Sequence, residues 1–563
     1  MLPTDETAGD TGLMDRIRTF PVITLLAALS LLAAHTRAEE PDPPEVAIGE
    51  RLFRETRFAQ FFAAQPAGGD PVMEQTETVG APLPGPFAGA AMNCAACHLV
   101  DQHLGSPGGG MRTYNDFARR SPIPAREDGQ THAARNSPPL VNAALARDGG
   151  LLLHFDGEFA SLEDLVSGTL TGRNYGWLPR ERAQAIAHIA EVIRTDDGSG
   201  ALAGEFGGSY RQVLAGAPEV PEELRLGPEY RIDVERATDR QILAAVAELI
   251  GAYVASLVFQ QDDAQAFNGS PYDRFLAANG LPPRPEPGET DAAYGARLLR
   301  LVTALANPVW VDEGSFAFHD QAFRFGPEEL AGLRLFLTPA RNGAPGAGAG
   351  NCVSCHAPPT FTDFGFHNTG VTQFEYDRLH GAGAFGRLAI PGLLERLVHY
   401  DRFMPATQRH PDALEPFRAA AADAPGRTDL GLWNIAFNPE FPTPQRRIQR
   451  LLCRAEQARA AAADSQRPAP HDLFSCWPNK LLERSVAAFK TPGLRDPGHS
   501  APYMHNGGLD SLEAVIEQYR GVADLARSGQ LRNGDPALQD IVLAAEDVAP
   551  VAAFLRALNE DYE

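Results

Sequence analysis

The sequence predicts a mainly α-helical fold in which one domain is written twice. Three observations carry this expectation. Apolar residues recur at helical spacing, Pro and Gly gather in the stretches between, and a series of short motifs appears twice in one order. Gly49-Glu50-Arg51-Leu52-Phe53 is answered by Gly332-Leu333-Arg334-Leu335-Phe336. Asn93-Cys94-Ala95-Ala96-Cys97-His98 is answered by Asn351-Cys352-Val353-Ser354-Cys355-His356, and Ser137-Pro138-Pro139-Leu140 by Thr491-Pro492-Gly493-Leu494. Residues 156–166 are answered by 506–516. A chain of 563 residues has room for two or three domains.

Each element follows from local pattern. Residues 46–53 form a short amphipathic opener, and 242–259 a helix closing the first half. Pro327, at a tolerated first helical position after Gly326, begins a helix with Leu330, Leu333, Phe336 and Leu337 on its apolar face. Asp510 caps a further helix, with Glu513 reaching back and Leu512, Val515, Ile516 and Tyr519 facing inward. Residues 547–558 close the second half. Breaker-rich stretches at 65–89, 342–350 and 458–470 read as surface loops. Residues 266–325 read as an interdomain connection, and about 370–480 as an insertion.

The repeated Cys-x-x-Cys-His names the chemistry. Two thiols one helical turn apart can add to the vinyl groups of one haem, and the adjoining His can bind its iron. A redox or zinc reading explains the paired cysteines but not a His in both copies. The fold class is therefore two tandem cytochrome c-like haem domains with long loop insertions. Residues 39–265 carry the first haem on Cys94, Cys97 and His98, and 326–563 the second on Cys352, Cys355 and His356. Two covalently bound haem c groups are expected.

The formal charge of −23, from 72 acidic against 49 basic residues, makes nucleic acid an unsuitable partner. It suits a basic electron-transfer protein or a small neutral substrate. Residues 15–18, 22–34 and 36–38 read as the n-region, apolar run and cleavage site of a secretory signal spanning 1–38. No later segment approaches membrane-spanning length, so the mature chain is expected without a span, and exported to the periplasm. In that oxidising compartment the remaining cysteines, Cys453 and Cys476, read as a disulfide rather than two free thiols.

These residues resemble the bacterial di-haem cytochrome c peroxidases and their MauG-like relatives. The resemblance rests on the haem motifs, Arg135-Asn136-Ser137-Pro138, Phe155-Asp156-Gly157, Phe489-Lys490-Thr491-Pro492-Gly493-Leu494-Arg495 and Ala501-Pro502-Tyr503-Met504-His505-Asn506-Gly507. It implies hydrogen peroxide as substrate at the first haem, and electrons passed through the second from a small donor protein, a cytochrome c or cupredoxin. A MauG-like oxidase acting on a protein or small molecule is the neighbouring reading, and a plain di-haem electron carrier a third.

The resemblance aligns Tyr519 with the sixth ligand of the second haem, where peroxidases place Met and MauG-like proteins Tyr. A core tyrosine is the alternative, with Met504 and Met404 as rival ligands. In the first half Tyr519 answers to Thr169, a poor haem ligand, so the first iron is expected to be open. The family's distal Gln and Glu fall on Leu165 and Tyr175, a departure that leaves Arg173 and Tyr175 as candidates to stabilise a developing hydroxide. His103 and His132 read as surface or hydrogen-bonding residues. Phe155 stands where the family has Trp, which removes a radical hop, and Trp177 is a substitute or an ordinary half-buried Trp. The resemblance also implies a calcium ion on Asn136 and the carbonyls of Ser500 and Pro502.

Overall fold

Proline in a first helical turn has no N–H that the helix needs, and the Pro44–Phe53 helix opens the fold in that way. The computed structural model describes residues 42–64, 93–94, 97–98, 123–147, 149–317, 321–339, 348–413, 418–463 and 476–560. The expected signal segment, His103, the 65–89 loop and most of the 342–350 loop lie outside these. Residues Pro43–Glu563 form one unit. The described residues are mostly helical, with two small antiparallel sheets, Val311–Ser315 with Ala322–Phe325 and Phe366–His367 with Phe489–Lys490.

The same helix crossing occurs twice. Pro44–Phe53 lies across Asp239–Ser256, and a Cβ on Gly49 would collide with the Leu249 carbonyl and the Tyr253 Cβ. Pro327–Leu337 lies across Val548–Arg556, and a Cβ on Gly332 would collide with the Pro550 carbonyl and the Phe554 Cβ. The aromatic contact beside each crossing also repeats. Phe53 meets Tyr253 edge-on at 5.1 Å, and Phe336 meets Phe554 edge-on at 5.2 Å. Glycine in the repeated Gly-x-Arg-Leu-Phe motif is thus a condition of close helix approach.

Farther along, two more features recur. Leu153 bridges Phe159 and Tyr503 bridges Leu509, each loop turning on a left-handed glycine, Gly157 or Gly507. Ser161 then caps Leu162–Leu170 and Ser511 caps Leu512–Arg527, each hydroxyl accepting an N–H at 3.1 Å. The expected Asp510–Glu513 cap is corrected here. Ser511 is the cap, and Glu513 instead accepts from Arg556 at 2.6 Å.

Other boundaries shift for local reasons. The helix expected at 242–259 spans Asp239–Ser256 because Thr238 and Gln241 close a capping box at its start. Phe259 falls beyond it and packs on Phe267. The stretch from 458 continues the Gln445–Ala463 helix rather than beginning a loop. Residues 266–325 hold the Pro271–Ala278 and Asp291–Ala304 helices, whose Tyr272, Phe275, Leu276, Tyr294 and Leu298 join the core around Phe336 and Phe554. Residues 370–480 build a core of their own around Trp433, Tyr400 and Met404. Cys453 and Cys476 are disulfide-bonded, with Cα atoms 5.0 Å apart.

Candidate functional site

Both Cys-x-x-Cys-His motifs fold into the same hydrogen-bonded turn. The N–H groups of Cys97 and His98 donate to the Cys94 carbonyl at 3.0 and 2.9 Å, and those of Cys355 and His356 to the Cys352 carbonyl at 3.2 and 2.8 Å. The four thiols are unpaired with one another. Burial pushes the Cys94 thiol up to about 11 and Cys352 up to about 12, so neither is poised as a free thiolate nucleophile.

Each motif lines its own cavity. In the second, His356 Nδ1 donates to the Phe361 carbonyl at 2.8 Å, which fixes the tautomer and leaves Nε2 as the ring's lone-pair donor. Burial lowers the affinity of His356 for a second proton, so the ring is neutral. Tyr519 lines the same cavity with Cys352, Cys355 and His356. Its hydroxyl is pushed well above the usual phenol range by burial and by the neighbouring Cys355 and Cys352. Met504 also lines this cavity, whereas Met404 is fully buried in the separate core of the 370–480 segment.

The other cavity is lined by Cys94, His98, Leu165, Thr169 and Asn174. His98 is pushed down to about 4, chiefly by burial and then by His154, with the Pro138 carbonyl acting the other way. Its Nδ1 is buried with no hydrogen-bond partner among the described residues. Pro138 and Pro492 stand at matching repeat positions, and each carbonyl acts on the His of its own motif.

The structure does not bring Arg173 and Tyr175 to this cavity; of that turn only Asn174 lines it. The Arg173 guanidinium donates to Asp128 at 2.7 Å and to the Pro124 carbonyl at 2.8 Å, which commits it to a neighbouring loop. Buried Tyr175 has its hydroxyl 3.2 Å from Cys94 Sγ. Burial and Cys94 raise that hydroxyl far above its ordinary value, so it is no acid.

Sequence reasoning missed His154. It has φ 61, as Met504 at the equivalent place has φ 70, and both line their cavities. His154 Nδ1 lies 3.2 Å from Glu158 Oε2, and its ring stands edge-on to Phe159. His367 was missed as well. It sits between Asp535 at 2.7 Å and Asp363 at 2.9 Å, and although burial works against its charge, the two carboxylates hold it protonated. The His132 ring lies 2.9 Å from the Thr131 hydroxyl at an exposed site.

One wall separates the cavities. Phe155, Lys490, Thr491, Pro492 and Ser500 line both. The Lys490 N–H donates to the Phe155 carbonyl at 2.7 Å, so the halves are stitched together at that wall. Trp177 lies elsewhere, buried and donating to the Phe58 carbonyl at 3.2 Å. Asn136, Ser500 and Pro502 meet at the edge of the Tyr519 cavity. Asn136 Nδ2 donates to the Pro502 carbonyl at 2.6 Å, and Asn136 Oδ1 is buried without a partner. An orphaned amide oxygen beside a backbone carbonyl is a donor set that fits a calcium ion.

No family model matches the chain. The cytochrome-c peroxidase IdrP1 of Pseudomonas sp. (strain SCT) is 36% identical over 77 residues, 14% of this chain and 19% of that protein. The methylamine utilization protein MauG of Methylorubrum extorquens is 62% identical over 32 residues, 6% of this chain and 9% of that one. The solved diheme peroxidase BthA of Burkholderia thailandensis aligns over 92% of this chain and 87% of its own, at 18% identity and a TM-score of 0.41. The matched stretches thus span less than two thirds of these curated relatives. Over those stretches, and in its two Cys-x-x-Cys-His turns, the chain is similar to bacterial cytochrome c peroxidases and to MauG.

Proposed function

We propose that the protein is an exported, periplasmic di-haem oxidoreductase that reduces hydrogen peroxide at the His98 site with electrons passed through the His356 site. The observation that carries this reading is the pair of identical Cys-x-x-Cys-His turns, each in its own cavity, with one shared wall. Haem attached at these cysteines would supply the redox chemistry, and His98 and His356 would hold its iron. Tyr519 faces the second cavity and would close that iron, whereas Thr169 leaves the first open. A phenolate is a hard donor that favours oxidised iron, which also supports a MauG-like oxidase as the second reading.

Reducing one peroxide to two waters consumes two electrons and two protons. His154 lines this cavity, with Glu158 behind it at 3.2 Å and outside the lining, and is the residue placed to move protons to and from peroxide. Phe155 fills the shared wall and carries no polar or readily oxidised group, so electrons cross by tunnelling. Asn136, Ser500 and Pro502 would hold calcium at the interface of the halves, and a small redox protein or a protein substrate would exchange electrons at the surface.

The test is a spectral titration of the purified ferric protein with peroxide. A high-spin component consumed stoichiometrically is expected, with the His154→Gln variant reacting on the order of 10²-fold more slowly. A silent, wholly low-spin spectrum would leave only an electron carrier.

A further inference from the structure

A chain with a formal charge of −23 gathers three cations around the His98 cavity. Arg147, Lys490 and Arg495 line it, and the described lining includes no Asp or Glu. Arg147 and Lys490 have no carboxylate of their own among the described residues, and Arg495, paired with Asp273, keeps one buried N–H group unpartnered. The Arg147 guanidinium stacks 4.2 Å from the Phe364 ring and donates from Nη2 to the Ala143 carbonyl, while its Nε is buried without a partner. Lys490 Nζ reaches only a carbonyl, that of Leu152 at 3.2 Å. The nearby carboxylate that favours its charge, Asp156, is already held by Arg135 at 2.5 Å. Arg495 is 6% exposed and gives Nη1 to Asp273 at 2.7 Å, with Nη2 buried and unpartnered.

Cations withdrawn from water without a counter-ion, as Arg147 and Lys490 are, are stabilised when an anion completes the cluster. Burial already weakens proton binding at Arg147, down to about 10, and at Lys490, down to about 7, as expected of cations awaiting a partner. A planar guanidinium and an ammonium on one apolar cavity suit carboxylate oxygens. The neighbouring His356 cavity is built differently, since His367 and Asp535 line it and are already paired.

We propose that Arg147, Lys490 and Arg495 form the carboxylate-receiving edge of the His98 cavity and hold the two propionates of the haem attached at Cys94 and Cys97. This rests on the haem reading above. Arg147 lines the first cavity alone, whereas Lys490 lines both. Arg147 therefore acts on one haem and Lys490 on both. A cation beside a haem disfavours the more positive ferric state, so removing it lowers the reduction potential.

The experiment uses full-length holoprotein carrying Arg147→Gln, Arg147→Lys or Lys490→Gln. Haem content is measured first, by the pyridine haemochrome, and a protein without haem would refute the haem reading itself. With both haems present, Arg147→Gln should shift the resonance Raman propionate bending band of the first haem and lower its potential. It should leave the second haem unchanged, and Arg147→Lys should restore the potential in part. Lys490→Gln should move both potentials. Haem-loaded Arg147→Gln and Lys490→Gln proteins with wild-type propionate bands and potentials would overturn the proposal. So would a wild-type first-haem potential that responds to added acetate, which would assign the cluster to an external carboxylate.

Discussion

Tyr519 and Thr169 occupy matching places on matching helices, each lining one of the two cavities. Replacing Tyr519 by Phe removes the one oxygen while keeping the ring that packs against the Val522 and Leu538 cluster. The variant should fold normally and show an altered, ligand-deficient absorption spectrum at the second haem alone. An unchanged spectrum would return Tyr519 to an ordinary core role. Residue-level chemistry was legible wherever it was local. Cys94, His98, Cys352 and His356 declare themselves because a five-residue pattern suffices to mark the two matching turns. The distal face did not declare itself. Counting from Ser161 leads to Arg173 and Tyr175, but the chain leaves the Leu162–Leu170 helix into a tight turn that aims Arg173 at Asp128. His154 reaches the cavity through a left-handed backbone, a direction that no apolar period encodes.

The elements are governed by packing that sequence pattern only partly records. The Gly332 crossing leaves no room for a methyl group against the Pro550 carbonyl, and backbone cannot move aside as a side chain can. Gly332→Ala should therefore destabilise the protein by about 1–3 kcal/mol, read as a lower denaturant midpoint, and Gly49→Ala should do the same. Midpoints equal to wild type would mean that the helices can separate at no cost. The repeated Gly-x-Arg-Leu-Phe motif was visible in the sequence, but its partners, Leu249 and Pro550, lie some 200 residues away along the chain. Caps show the same division. Ser511 and Asp510 are both good capping residues, and only the backbone geometry selects Ser511.

For the whole molecule, the 266–325 segment and the C-terminus meet around a buried ionic cluster. Asp273 pairs with Arg495, and Glu560 accepts the Gln260 N–H at 2.8 Å. Glu560 is 2% exposed, and burial, opposed by Arg495 and reinforced by Asp273, pushes its carboxyl up to about 8. Folded protein therefore keeps this proton where the unfolded chain, near 4.5, has lost it. The stability from Glu560 is fully present below that lower value and is lost as pH rises through about 8. Urea unfolding should show a decline across this window, with a slope of at most about 1.4 kcal/mol per pH unit. Glu560→Gln, which keeps the acceptor for Gln260, should flatten it. An equally steep decline in the variant would assign the pH dependence to another group.

The sequence by itself determined the helical character, the duplicated order of motifs and the two Cys-x-x-Cys-His turns, because these depend on short-range spacing and on the chemistry of individual side chains. It also singled out Tyr519 and the Cys453–Cys476 pair, which the structure finds in a cavity wall and in a disulfide. Only the tertiary structure decided that Phe155 and Lys490 stand in one wall between two cavities, that Arg173 is spent on Asp128, and that His154, Arg147 and Arg495 converge around His98. Those placements join residues as many as 397 positions apart, His98 with Arg495. Their convergence depends on how helices pack and which way each loop turns, and neither is contained in the local pattern of a chain.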